Sequence, residues 1–345
     1  AYTYTVLVKP YSMVTVSTVT PRRTEYKNKE ASEQALLTLP YADDFAYENY
    51  PPDYLTSRGG APRYTTDQGG AFEVEQTESG NALVQQITAH TRAKEWGFTP
   101  DPVTCFGDDR WYNYSVLVHV KLDPSEEPAK NYAGVGLRYT LACNAVSGYS
   151  IRLYQDGSWA LLAQDTVKAR GSIGDFDPGA VHALHIKAEY NVITAWIDGE
   201  PVAEYVSRSE SLMGAGRGAL YSAYHRNCFS RLVIRPTADA ESYITRYDNT
   251  DVCFAYEGAW EHQTATGFKH YKRTISQGKE GAVCIVRFVG TGFSLFGETG
   301  KAVLSVVIDG GEPRSVQVCE TGPREISYRC DGLAKAAHTL SLIHI

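Results

Sequence analysis

The 345-residue sequence predicts an all-β chain made of β-sandwich modules in series, and three observations carry that expectation. Short runs alternate apolar and polar residues, Asp-Gly pairs stand between several of them, and no stretch keeps the three-and-four spacing of an amphipathic helix. The composition agrees, since 24 Tyr, 5 Trp and 30 Gly against 2 Met suit short strands joined by turns. A chain of this length suits two or three domains, each able to bury a core.

The first run sets Tyr2, Tyr4, Val6 and Val8 on one side and Thr3 and Thr5 on the other. A turn at Lys9-Pro10-Tyr11-Ser12 leads to a second run, Met13 to Val19, so a hairpin is expected. A lone hairpin is marginal in water, so its sheet partners are expected to precede residue 1. Residues 1–38 thus read as terminal strands of a sheet plus a linker, with residues 1–20 the least stable part of the chain. A truncated C-terminus is expected as well, because Leu340-Ser-Leu-Ile-His-Ile345 matches translation of a common transposon-based sequencing adapter.

Residues 39–236 read as one sandwich. Tyr114 to Val120 alternates cleanly. Tyr149 to Tyr154, the turn at Asp156-Gly157, and Trp159 to Leu162 predict a hairpin; Val192 to Ile197, Asp198-Gly199 and Pro201 to Val206 predict another. Phe45, Phe72, Trp111 and Trp196 are the expected core aromatics. The polar link Pro236 to Ser242 is the expected boundary. A second β module follows at 247–345, with strands near Ala282 to Phe288, Ser294 to Phe296, Val303 to Ile308 and Ser315 to Val318, and a turn at Ile308-Asp309-Gly310-Gly311.

Charge and composition exclude several classes. With 40 acidic against 33 basic residues the chain lacks the basic face that phosphate neutralisation needs, so nucleic acid is not an expected partner. No run of eighteen apolar residues predicts a transmembrane helix. The seven Cys show no Cys-x-x-Cys spacing. Cys319 and Cys330 flank a turn-rich segment and either bridge or serve as small buried residues. Asn113-Tyr114-Ser115 fits a glycosylation sequon.

Candidate chemistry is sparse, and no catalytic residue is assigned. Glu73 and Glu75 share one face of an expected strand, yet a glycosidase needs two carboxyl groups across one sugar, and a solvated strand face explains them as well. His182 and His185 fall on opposite faces and share no metal. Gly290 and Gly292 lie between two strands, where a tight turn replaces the phosphate cradle of a strand-to-helix motif. Trp260, Glu261 and His262, in an expected loop, are the candidate carbohydrate-binding set: an indole to stack on a sugar's C–H face, an acceptor and a donor for its hydroxyls. A core Trp is the competing reading.

A resemblance rests on linked motifs. Leu39-Pro-Tyr-Ala-Asp43-Asp44-Phe45, Pro62-Arg-Tyr-Thr-Thr-Asp67-Gln68-Gly-Gly-Ala-Phe72-Glu73, Trp96, Pro102-Val-Thr, Gly107-Asp108 and Trp111-Tyr-Asn-Tyr114 resemble the lectin domain of glycoside hydrolase family 59, the galactocerebrosidase family. The resemblance implies a concanavalin/laminin G-like lectin β-sandwich, preceded at residues 1–38 by the terminal strands of a truncated small β-sandwich plus a linker, in a retaining enzyme whose two carboxylates sit on a TIM barrel outside this sequence. It implies an extracellular or lysosome-like location and a galactose-containing glycan or glycolipid as partner. It also implies Ca²⁺ at Asp43 and Asp44, although Ser230 and Arg231 stand where the late Asp-Asn pair belongs. Leu83-Val84-Gln85 replaces the segment whose Arg reaches the galactose pocket.

From Tyr247 onward, Gly258-Ala-Trp260-Glu-His262, Phe288-Val-Gly290-Thr-Gly292, Phe296-Gly297, Gly332-Leu333 and His338-Thr339-Leu340 are similar to jelly-roll modules appended to bacterial and fungal hydrolases. The expected function is the non-catalytic carbohydrate-binding portion of a galactosylceramidase-like hydrolase. A laminin G-like protein-interaction module and an independent sandwich glycosidase are the alternatives.

Overall fold

The computed structural model describes residues 35–78, 80–91, 101–140, 148–207, 214–237, 242–266, 270–296, 302–318 and 326–344. Contacts group the chain into Ala1–Leu36 and Leu37–Ile345, and every strand named below belongs to the second group. The expected hairpin at residues 1–20 and Trp96 lie outside the described residues.

The fold is all-β. The first sheet holds β1 (Tyr41–Asp43), β3 (Phe72–Thr77), β4 (Gly80–Gln85), β6 (Tyr114–Lys121), β11 (Val181–Glu189), β12 (Val192–Ile197), β13 (Glu200–Val206) and β15 (Cys228–Pro236). The second holds β2 (Thr65–Gly69), β5 (Val103–Phe106), β7 (Tyr132–Tyr139), β8 (Tyr149–Tyr154), β9 (Ser158–Ala163), β10 (Thr166–Ser172) and β14 (Arg217–Ser222). Their orders are β13-β12-β11-β6-β15-β4-β3, with β1 also on β15, and β10-β9-β8-β7-β14-β5-β2. All pairings are antiparallel.

The two sheets close on one core because each strand alternates. In β6, Tyr114, Val116, Val118 and Val120 are fully buried while the residues between them are not. Phe45, Phe72 and Trp111 lie in that core as expected. Trp196 does not. Ile193, Ala195 and Ile197 take the inward positions of β12, so Trp196 faces out and stacks on His185, with ring centroids 4.5 Å apart.

The C-terminal module is a second, smaller sandwich. It contains β16 (Phe254–Glu257), β17 (Trp260–Thr264), β18 (Thr274–Gly278), β19 (Val283–Gly290), β20 (Phe293–Phe296), β21 (Ala302–Ile308), β22 (Arg314–Val318), β23 (Ile326–Cys330) and β24 (Ala336–His344). Five form a sheet in the order β16-β19-β24-β21-β22, and the pairs β17-β18 and β20-β23 stand beside it. Cys284, Val286, Val306 and Leu340 form its buried centre. Gly290 and Gly292 do make a turn between strands, β19 and β20.

The Asp-Gly turns behave as their chemistry requires. Asp198 and Gly199 have φ of 51° and 86°, and Asp309 and Gly310 have 53° and 69°, the two left-handed residues of a tight hairpin whose twist matches its strands.

Candidate functional site

The motifs that carry the family resemblance are mostly architectural. Trp111 is fully buried, and its indole N–H donates to the Leu37 carbonyl at 2.7 Å. A Cβ on Gly107 would come within 2.1 Å of that indole, so only glycine fits there. Asp108 pairs with Arg110 at 2.7 Å and accepts the Leu37 N–H. Tyr114 donates its hydroxyl to the Gly216 carbonyl at 2.9 Å and accepts the Arg138 N–H at 2.7 Å. Asn113 is fully buried and accepts from the Arg138 guanidinium and the Tyr190 N–H, so the sequon is a core residue and no glycan can reach it.

Asp43 and Asp44 part company. Asp43 is buried, and its carboxylate accepts from the Tyr41 and Tyr47 hydroxyls at 2.8 Å each and from the Phe45 N–H at 2.9 Å. The Arg63 guanidinium stands 3.7 Å away and lies over the rings of Tyr41, Tyr47 and Tyr50 at 5.4–5.7 Å. Burial and the neighbouring Asp43 push both hydroxyls well above the ordinary tyrosine range, which keeps them protonated donors. Asp44 is exposed and caps the Ala46 N–H. Calcium needs six to eight oxygen ligands, roughly. A carboxylate engaged by three donors and an arginine does not fit it, and among the described residues no group of three or more His, Cys, Asp or Glu could hold a metal.

The acid pair is disarmed. Arg226 grips Glu75 with contacts of 2.7 and 2.8 Å, and Gln86 donates to it at 2.7 Å. That hydrogen bonding by Arg226 lowers the Glu75 pKa, the opposite of what a general acid needs. Glu73, two residues away, is exposed. Val84, in the segment where the family resemblance expects an arginine, is a buried strand residue. His182 and His185 alternate across β11, inward and outward. Cys330 is a free thiol, and Cys319 lies outside the described residues.

Trp260, Glu261 and His262 occupy strand β17, not a loop, paired to β18 with Trp260 opposite Gly278 and His262 opposite Ser276. The period of two divides them. Trp260 and His262 share one face, their rings parallel to within 13° at 6.4 Å, and the Tyr256 ring meets each of them edge-on at 4.8 Å. Glu261 falls on the other face and accepts from the Gln263 amide at 2.9 Å. The indole is half-buried over Gly278, where a Cβ would come within 2.8 Å, and its N–H donates to the carbonyls of Glu257 and Val283 at 3.0 and 3.2 Å. His262 is exposed and bonds through Nδ1 to the Ser276 hydroxyl at 2.8 Å. Asn249 donates to that hydroxyl at 2.7 Å and accepts from Thr274 at 2.7 Å, so a polar row continues from the rings.

Sequence reasoning misses two further groups. Tyr132, Tyr139 and Tyr221 form, with Cys105, a separate buried cluster on the outer side of the second sheet, where the Arg152 guanidinium lies 4.6 Å from the Tyr132 ring centre. Gly136 permits it, since a Cβ there would meet the Tyr221 ring at 2.7 Å; the Gly-x-Gly at 134 and 136 is the available signal. The other is a cleft at Tyr247, Arg287 and Thr339, drawn from three distant segments with no shared motif.

No family model matches the chain, and no curated protein matches it. Solved structures do. The carbohydrate-binding module CBM66 from Bacillus subtilis is 11% identical, with 50% of this chain and 95% of that one covered, at a TM-score of 0.38. The exoplasmic/lumenal domain of VIP36, in a form bound to Ca²⁺ and Man3GlcNAc, is 12% identical over 51% of this chain and 85% of that one, at 0.35. A Bacillus subtilis protein of unknown function with a galectin-like fold is 10% identical over 53% and 90%, also at 0.35.

Proposed function

We propose that the chain is the non-catalytic, carbohydrate-binding portion of a galactosidase- or galactosylceramidase-like glycoside hydrolase related to family 59. Its ligand is a galactose-containing glycan or glycolipid, its TIM barrel lies elsewhere in the same polypeptide, and the parent enzyme works in an extracellular or lysosome-like setting. The observation that supports sugar binding is the pairing of Trp260 with exposed His262 on one face of β17, flanked by Ser276, Asn249 and Thr274. Aromatic faces beside hydroxyl and amide groups are what a pyranose asks of a protein. Glu261 lies off that face, so the proposed contact set is Trp260 and His262. The grip of Arg226 on Glu75 supports the non-catalytic half of the reading.

Titrating galactose and lactose while following tryptophan fluorescence tests it. A single shallow site should saturate at roughly millimolar ligand, because association entropy consumes most of the contact energy. Trp260→Ala should abolish the response and His262→Ala should weaken it, with the exposed His262 site serving as the variant least able to disturb folding. A response that persists in both variants, or no response in the parent chain, overturns the proposal.

A further inference from the structure

The C-terminal module carries a second site, on a different face from Trp260. Arg287 and Thr339 are cross-strand partners on β19 and β24, as are Val289 and Ala337, so these four side chains share one face. Val286 and Leu340 face the other way, into the core. Over the open face lies a cleft of about 280 Å³, walled by Tyr247 from the segment before β16 and bordered by His338. Both Val289 and Tyr247 are exposed, at 73% and 44%.

Three features make this a built site. Among the described residues no side-chain hydrogen bond or ion pair engages the Arg287 guanidinium; only its backbone N–H is used, donating to the Cys253 carbonyl at 3.1 Å. The Thr339 backbone is pinned on both sides, its N–H donating to Asp309 Oδ1 at 2.7 Å and its carbonyl accepting the Asp309 N–H at 2.8 Å. His338 fixes that Asp in turn, with Nδ1 2.7 Å from Asp309 Oδ2 and Nε2 2.8 Å from the Ala334 carbonyl. The Thr339 backbone is therefore held on both sides, while the neighbouring guanidinium lacks a partner among the described residues.

We infer that this cleft binds a pyranose carrying a carboxylate, a sugar of the uronic acid class. The free guanidinium offers a planar fork that pairs with a carboxylate through two N–H donors. Tyr247 supplies a ring for the sugar's C–H face, Val289 and Ala337 an apolar floor, and the Thr339 hydroxyl a partner for a ring hydroxyl. The cleft volume suits one sugar ring better than an extended chain. This site stands apart from the galactose proposal, and either can fail without the other.

The test is isothermal titration calorimetry on the full chain with galacturonic acid, its methyl ester, galactose and inorganic phosphate. Galacturonate should bind, and the methyl ester, galactose and the Arg287→Ala variant should each bind roughly ten- to a hundredfold more weakly, the worth of a charge-assisted hydrogen bond. Arg287→Lys should fall between, and Tyr247→Ala should lose a comparable factor. Arg287 and Tyr247 are exposed, and unchanged melting curves for their variants separate lost binding from lost folding. Four results overturn the inference: no binding of galacturonate, equal binding of its ester, an unaffected Arg287→Ala, or phosphate binding as tight as galacturonate, which would mark an anion site without sugar recognition.

Discussion

The two modules solve one local problem in the same way and differ in what stands behind it. In the N-terminal sandwich, His182 Nδ1 meets Asp198 Oδ2 at 2.7 Å, Nε2 meets the Asp177 carbonyl at 2.8 Å, and Asp198 Oδ1 accepts the Ala183 N–H at 2.7 Å. In the C-terminal module, His338, Asp309, Ala334 and Thr339 repeat the arrangement with the same three distances. Each histidine opens a His-x-Leu run whose Leu is buried, each aspartate sits in an Ile-Asp-Gly hairpin turn, and each imidazole meets a Phe ring, Phe176 or Phe288. Behind the first clamp lies a thick core that includes Trp111, Tyr114, Phe45 and Phe72; behind the second lie four buried small or aliphatic residues, with partly buried aromatics packed against them. The clamp is thus a property of two short sequence patterns brought into register by antiparallel pairing, and it does not depend on core size.

The largest effect should separate the cores. Trp111→Ala removes a fully buried indole and its hydrogen bond to Leu37, and should cost about 3–5 kcal/mol in urea unfolding. Val306→Ala, in the thinner core, removes two methyl groups and should cost about 1–3 kcal/mol. Equal costs for the two variants would show that the sandwich relaxes around the lost ring and that the contrast in core thickness is overstated.

A smaller effect should appear in pH dependence. The hydrogen bond from Asp309 raises the His338 pKa, and that from His338 lowers the Asp309 pKa. The histidine contribution is therefore fully present below its unfolded value of about 6.5 and is lost as pH rises through the higher folded value. The aspartate contribution is present above about 3.9 and is lost as pH falls through the lower folded value. Between these limits the C-terminal module should be most stable, with a modest amplitude because the Asp309 carboxylate is half-exposed and screened. Thermal melts from pH 4 to 9, in about unit steps, should show this decline setting in above about pH 6.5, and His338→Gln should flatten it. A slope unchanged in that variant would assign the dependence to another group.

What the sequence discloses follows from range. The strands at Tyr149 to Tyr154 and Val192 to Ile197 match β8 and β12 because alternation and an Asp-Gly turn are local signals. Which face of β12 is buried is not local: ring size argues for Trp196, but three consecutive inward positions, Ile193, Ala195 and Ile197, decide otherwise. Gly258 before Trp260 suggests a loop, whereas β18, which completes the hairpin, begins ten residues after β17 ends. The Asp43 cluster draws on Tyr41, Tyr47 and Arg63, and the cleft on Tyr247, Arg287 and Thr339, sets that only the folded chain assembles.

The smallest effect expected is none, and it concerns calcium. A cation at Asp43 would have to displace the Tyr41 and Tyr47 hydroxyls, held at 2.8 Å, and sit beside a guanidinium already 3.7 Å from the carboxylate. Both hydroxyls stay protonated, so neither can turn into an anionic ligand to compensate. The second half of a calcium cage is also wrong in charge, since Ser230 and an exposed Arg231 occupy its place on β15. A site filled at a hundred times its dissociation constant would add about 2.7 kcal/mol, enough to move a melting curve by several degrees. Melting the chain with calcium and then with a chelator should give superimposable transitions in both modules. A calcium-dependent rise confined to the sandwich would mean that oxygens other than those of Asp43 gather there, and the likeness of the two histidine-clamped modules would break at that point.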